Sequence, residues 1–187
     1  MILFINACVR PQSRTKRLAN YILQKMEHDV KELVLEKENI IPLNHKTLER
    51  RTKLASSGNF DDPIFDLAKD FAAAKKIIIA APYWDLSFPA LLKCYIEQIN
   101  VIGLTFAYND DGKPYGLCKA NELIYVTTSG GTIFNEDLGF GYIKSLAHNF
   151  YGIKNISYFK AENLDLINAD VEDILQKTEK EIDKNFK

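Results

Sequence analysis

Cysteine is scarce and unpaired in this chain. Three cysteines, Cys8, Cys94 and Cys118, are spread over 187 residues, and without a CxxC pair they exclude zinc ribbons and iron–sulfur clusters and suggest no disulfide. Apolar runs stop well short of the ~18 residues a membrane helix needs. The N-terminal MILFINACVRPQSR has too short an apolar stretch, and no basic one before it, to be a signal peptide,. Charge of one sign is lacking as well: Lys+Arg 24 against Asp+Glu 25 leaves −1. That excludes a basic field for nucleic acid and an acidic face for an electrostatically docking electron carrier. Neither GxGxxG nor GxxxxGK[ST] occurs, which removes the dinucleotide fingerprint and the P-loop,. The expectation is a reduced, cytoplasmic protein with no metal, membrane or nucleic-acid partner.

What is present is an ordinary globular composition, 47% hydrophobic and 26% charged,. At roughly 150 residues per domain, residues 1–187 read as one domain, large enough to bury about 70% of its unfolded surface without staples. An apolar run at 2–5 stops in the polar loop Asn6-Ala7-Cys8-Val9-Arg10-Pro11-Gln12, and Leu18, Tyr21/Ile22 and Met26 follow at helical spacing,. Residues 31–35 read as a second, weaker strand. The run KIIIAA at 76–81 is continuously apolar and ends at Pro82, as a strand buried on both faces of a parallel sheet does,. Ser87 is placed to cap a helix with Pro89 just inside, carrying the stripe Leu92, Tyr95/Ile96, Ile99 and Ile102 and ended by Gly103,. A strand at 123–127 closes on Thr128-Ser129-Gly130-Gly131. A helix around 138–150 stops at Gly152, a strand covers 155–160, and a last helix starts near Asp170 with Asp173 three residues on,. Strand and helix alternate five times, which predicts a single α/β domain with a mostly parallel sheet. Residues 36–62 and 107–120 read as loop or insertion.

In open parallel sheets, ligands sit outside the carboxyl ends of the strands, so three loops carry the functional reading. The first brings Ser13, Arg14 and Thr15 to a helix N-terminus, where hydroxyls, a guanidinium and unpaired amides suit a phosphate,; the plainer reading is a helix cap. The second, Pro82-Tyr83-Trp84-Asp85-Leu86, sets adjacent aromatics at a strand end, to cover a planar ligand or to plug the domain edge,. The third, Thr128-Ser129-Gly130-Gly131, permits close backbone approach to a ring, or is ordinary turn chemistry,. Together they fit a mononucleotide with a planar ring system, flavin mononucleotide. His28, His45 and His148 fall outside these loops and read as solvated surface residues, and Lys93 as a helix-surface residue. No catalytic pair of side chains stands out.

The stretch APYWDLSFPALLKCYIEQINVIGLTFAY, residues 81–108, resembles the FMN-dependent NADH-azoreductase and NAD(P)H:quinone oxidoreductase family of the flavodoxin-like superfold. It follows that family's A-P-x-[YW]-N-x-x-x-P-x-x-L-K-x-Y-x-D-x-[IV]…G-x-T-F-x-Y run, with Gly112, Gly116-Leu117 and the 128–131 turn at family spacing. The resemblance covers most of the chain and is weakest over 31–71. Asp85 replaces the family's asparagine, and Ala7 or Cys8 its early serine. The resemblance implies a sheet in the order 2-1-3-4-5. It also implies tightly bound FMN with chemistry on the flavin, NADH or NADPH as co-substrate, ping-pong hydride transfer to a quinone or azo acceptor, Phe106 and Tyr108 walling the acceptor pocket, and a homodimer, for which Phe134 and Phe140 could supply an apolar surface. Asp85 close to the ring would disfavour an anionic reduced flavin; otherwise it faces solvent or caps the next helix. A non-enzymatic flavodoxin-like electron-transfer or regulatory subunit binding FMN or another nucleotide is the alternative.

Overall fold

The computed structural model describes residues 1–27 and 29–186. His28, read above as a surface histidine, lies outside the described residues. The strands are β1 (Ile2–Asn6), β2 (Val30–Val34), β3 (Lys76–Ala80), β4 (Phe106–Tyr108), β5 (Pro114–Gly116), β6 (Glu122–Thr128) and β7 (Asn155–Ala161). The helices are α1 (Arg14–Leu23), α2 (His45–Ser56), α3 (Asp66–Ala73), α4 (Ala90–Ile99), α5 (Tyr142–Leu146) and α6 (Val171–Asn185). Five strands form one sheet in the order β2-β1-β3-β6-β7, every pairing parallel and in continuous register. By position in the sheet this is the expected 2-1-3-4-5.

The alternation of side chains along β1 explains why the sheet needs cover on both faces. Leu3 and Ile5 join a core with Phe71 of α3, Leu92 and Ile96 of α4 and Ile143 of α5. Ile2 and Phe4 point the other way, onto Leu18 and Ile22 of α1 and Leu175 and Ile182 of α6. Each fully buried aliphatic side chain contributes on the order of 1.5–3 kcal/mol, so neither layer is dispensable. In α6 the Asp170 side chain accepts from the Asp173 amide, the cap the sequence suggested,.

The segments read as loop are partly ordered. Asn44 and Thr47 form a reciprocal capping box that starts α2, a helix with no buried residue and hence no apolar stripe to betray it,. Residues 107–120 hold most of the antiparallel β4–β5 hairpin. Gly116 is required there because a Cβ would run into the Tyr151 backbone. The predicted Ser87 cap is corrected: Pro89 is the N-cap of α4 and no side chain caps it, because the Ser87 hydroxyl donates to Leu138 O at 2.6 Å. The buried stripe runs only to Ile99; Asn100 ends the helix, leaving Ile102 57% exposed beyond it. The expected 138–150 helix is α5 flanked by two π-helical segments, Asp137–Gly141 and Ala147–Tyr151, and it does stop at Gly152, which is left-handed at φ 74°. Among the described residues no helix is long and apolar enough to cross a membrane.

Candidate active site

Because the strands of the main sheet are parallel, the loops after β1, β3, β6 and β7 emerge at one edge. There they enclose a cleft of ≈ 770 Å³, within the ~300–1,000 Å³ range of small-molecule sites. Its walls are residues 8–15, 82–84 and 128–130 together with Leu164 and Asp165.

The first loop is shaped by Asn6, a buried residue at the end of β1. Its carboxamide donates to Glu32 Oε1 at 2.8 Å and accepts from the Cys8 amide at 3.0 Å, which turns the chain out of the sheet. Cys8 is nearly buried against Ala80 O, and burial pushes its thiol up against the opposing contact from Ser13, so it is a wall and not a nucleophile. Ser13 caps α1, its hydroxyl accepting from Lys16 N at 3.2 Å. The cap and the Arg17 N–H bond to Ser13 O satisfy the amides of Lys16 and Arg17. The amides of Arg14 and Thr15, two residues earlier in the same first turn, are among those a helix cannot satisfy internally. Thr15 is buried, its hydroxyl 2.6 Å from that of Thr128, pinning α1 to the end of β6. Arg14 reaches across to Asp165 Oδ1 at 2.7 Å and Leu164 O at 3.4 Å.

The second loop is a two-residue reversal. Trp84 and Ser87 exchange backbone hydrogen bonds of 3.2 and 2.8 Å, with Asp85 at φ 49° and Leu86 at φ 67° between them. Both central residues with positive φ define a type I′ turn. Pro82, Tyr83 and Trp84 line the cleft, whereas the exposed Asp85 and Leu86 stay outside its wall. Asp85 caps no helix. Tyr83 N donates to Thr128 O at 3.0 Å and its hydroxyl to Asn135 O at 3.4 Å.

The third loop is tied to the chain after β7: Leu164 N bonds Ser129 O, Asp165 N bonds Gly130 O and Asn163 N bonds Gly131 O. Thr128, Ser129 and Gly130 line the cleft, while Gly131 lies beyond it. A Cβ on Gly130 would strike the Asp165 carboxylate. Nearby, Lys160 sits between Glu136 at 2.7 Å and Glu162 at 3.0 Å, the two carboxylates driving its pKa up. Glu162 also accepts from Ile133 N, bracing the chain that follows the glycines.

Phe106 and Tyr108 are not part of this cleft. They belong to the β4–β5 hairpin, where Phe106 packs against Phe150 with ring centres 4.5 Å apart and against Tyr108 at 5.6 Å; the hairpin folds onto the π-helical segment Ala147–Tyr151 that follows α5. Sequence reasoning had assigned no role to Cys8, Val9, Arg10, Pro11, Gln12, Leu164 or Asp165, all of them in the wall. The last two were findable, because the fifth parallel strand must end at the same edge. His45 and His148 are exposed, and Lys93 pairs with Glu97 along α4.

A five-stranded parallel sheet in this order, with a cleft across its carboxyl edge, defines a doubly wound α/β protein of flavodoxin-like topology,. The family model described as the flavodoxin-like fold matches residues 1–186, and the chain belongs to that family. It is 34% identical over 190 residues to FMN-dependent NADH:quinone oxidoreductase 2 of Clostridium acetobutylicum, covering 95% of this chain and 93% of the relative. It is 32% identical over 197 residues to the FMN-dependent NADH:quinone oxidoreductase of Clostridium beijerinckii, covering 99% and 98%. An azoreductase from Bacillus anthracis superposes with a TM-score of 0.84 at 25% identity, covering 99% of this chain and 97% of that one.

Proposed function

We propose that this chain is a cytoplasmic FMN-dependent NADH oxidoreductase, one flavodoxin-like domain per subunit, that reduces quinones or azo compounds by two electrons. One observation carries the reading: a single cleft joins a helix N-terminus, a pair of aromatics and a glycine turn. The donor set fits the cofactor. The first-turn amides of Arg14 and Thr15, which a helix does not satisfy internally, match a phosphate,, and the half-exposed Tyr83 and Trp84 match a flat ring,.

FMN, when bound, supplies the two-electron chemistry between nicotinamide and acceptor. The chain binds and orients it. Ser13, Arg14 and the amides of Arg14 and Thr15 hold the phosphate, while the Thr15 hydroxyl, spent on Thr128, fixes the helix relative to β6. Pro82, Tyr83 and Trp84 would border the ring and Thr128, Ser129 and Gly130 would form the wall at the end of β6. The space left by the missing Gly130 side chain is taken by the Asp165 carboxylate, and Gly131, beyond the cleft, continues the turn that is tied to Asn163. Asp85 and Leu86 act at one remove, by holding the turn that presents Trp84. A homodimer forms part of the proposal, supported by the 85% exposed Phe134, whose neighbour Asn135 accepts through its carbonyl from the cleft residue Tyr83,.

The visible spectrum of the purified protein and NADH oxidation with a quinone test the reading together. Oxidised-flavin bands and quinone-dependent turnover are expected, and a colourless protein that binds no added FMN overturns it. A monomer mass by light scattering, with FMN bound, overturns the dimer alone.

A further inference from the structure

Resting on the FMN reading above, we infer that Asp165 is a built-in competitor of the cofactor phosphate, an affinity-setting residue that holds Arg14 in the absence of an anionic ligand. Three features place its carboxylate there. The Asp165 amide is tied to Gly130 O at 2.9 Å. The missing side chain of Gly130 vacates the space that the carboxylate fills. Arg14, the first residue of α1, meets it at 2.7 Å and adds a second bond to Leu164 O.

The cleft wall carries two cations, Arg10 and Arg14, and one anion, Asp165. An incoming phosphate is itself anionic and seeks the same guanidinium and the same helix N-terminus. It must either draw Arg14 away and leave Asp165 bare beside it, or accept donors already half neutralised. Both routes weaken binding of the phosphorylated cofactor and neither touches binding of the ring. The Asp165 side chain is 62% exposed and that of Arg14 39%, so water screens the competition and its size is modest.

Asp165→Asn keeps the shape and removes the charge. Titrating FMN into apoprotein, followed by quenching of flavin fluorescence, should show affinity rising on the order of three- to tenfold at low salt. The gain should shrink towards 1 M salt, where the screening length is only ~3 Å. Riboflavin, which has the ring but no phosphate, should bind parent and variant equally. Asp165→Ala should tighten FMN in the same direction, which separates charge from a special property of asparagine, and both variants should melt within about 4 °C of the parent. Unchanged or weaker FMN binding in both variants overturns the inference and leaves the FMN reading standing. Equal tightening of riboflavin also overturns it, because the effect is then steric. A parent protein that binds no FMN overturns the FMN reading and this inference with it.

Discussion

Asp85 and Leu86 occupy the left-handed region at φ 49° and 67°, where an ordinary L-residue costs roughly 1–2 kcal/mol and Asp or Asn less. The cost is spread unevenly over the turn. Asp85→Asn should leave melting and flavin potential nearly unchanged, because asparagine suits this backbone and the carboxylate is exposed outside the cleft wall. Leu86→Val places a β-branched side chain at positive φ and should destabilise by about 1–2 kcal/mol, whereas Leu86→Gly should not. Thermal melts of the three variants, with a redox titration of the first, check this. Sequence reasoning placed Asp85 on the ring, on a helix cap or facing solvent, and the side chain is exposed; the turn that holds it there was the part not foreseen. The turn type was not legible, since a type I′ turn announces itself by Asn-Gly or Asp-Gly and Asp85-Leu86 carries only half of that signal.

At the scale of elements, the joint between α1 and β6 decides how two of the cleft's walls meet. Thr15 and Thr128 share a buried hydroxyl–hydroxyl contact of 2.6 Å. Thr15→Val leaves the Thr128 hydroxyl without its partner and should cost about 1–3 kcal/mol; Thr15→Val/Thr128→Val should recover much of that, because the group left stranded is gone too. Denaturant unfolding of the two singles and the double gives the coupling. That Thr15 packs inward was hidden by its position in the chain, where Ser13, Arg14 and Thr15 all looked equally ready for a ligand. The central strands β1, β3 and β6 were legible because each is a compact, buried, largely apolar run; β2, VKELV with three exposed residues, carried a weaker signal. Helix α2 was not legible, since none of its residues is fully buried: a capping box starts it, and Leu54 and Ala55 near its end pack only partly against the core. Helix α3 buries Ala68 and Ala72 around a single Phe71, a stripe too small to stand out.

Across the whole molecule, several acidic protons are locked in the apolar layers. Burial raises the phenols of Tyr95, Tyr125 and Tyr151 well above their ordinary 10.0 and pushes the Cys118 thiol from 9.0 to about 12. The unfolded chain releases these protons near the ordinary values while the folded chain keeps them. The stabilisation is therefore complete below about pH 9 and falls as pH rises, by about 1.4 kcal/mol per pH unit for each group ionised only in the unfolded state. Melting temperature should drop steeply from pH 9 to 11, and the phenolate absorbance of these tyrosines should appear only with unfolding. Tyr95→Phe, which deletes a buried hydroxyl with no hydrogen-bond partner among the described residues, should raise the melting point at neutral pH and flatten the alkaline decline.

The common direction of the five central strands also divides the surface into two rims with different freedoms. One rim gathers the cleft loops, which hydrogen-bond to one another from β1 round to the segment after β7, so a change in any of them propagates to its neighbours. The opposite rim holds Met1, the Ala74–Lys75 corner, Asn121 and Lys154, where the chain merely turns back: Lys75 N bonds Met1 O and Asn121 N bonds Lys75 O. Lengthening those corners adds only slowly growing loop entropy and leaves every cleft contact in place. Affinity tags, inserted peptides and permuted termini belong on that rim, and lineages of this fold can remodel it without consulting the chemistry at the other end.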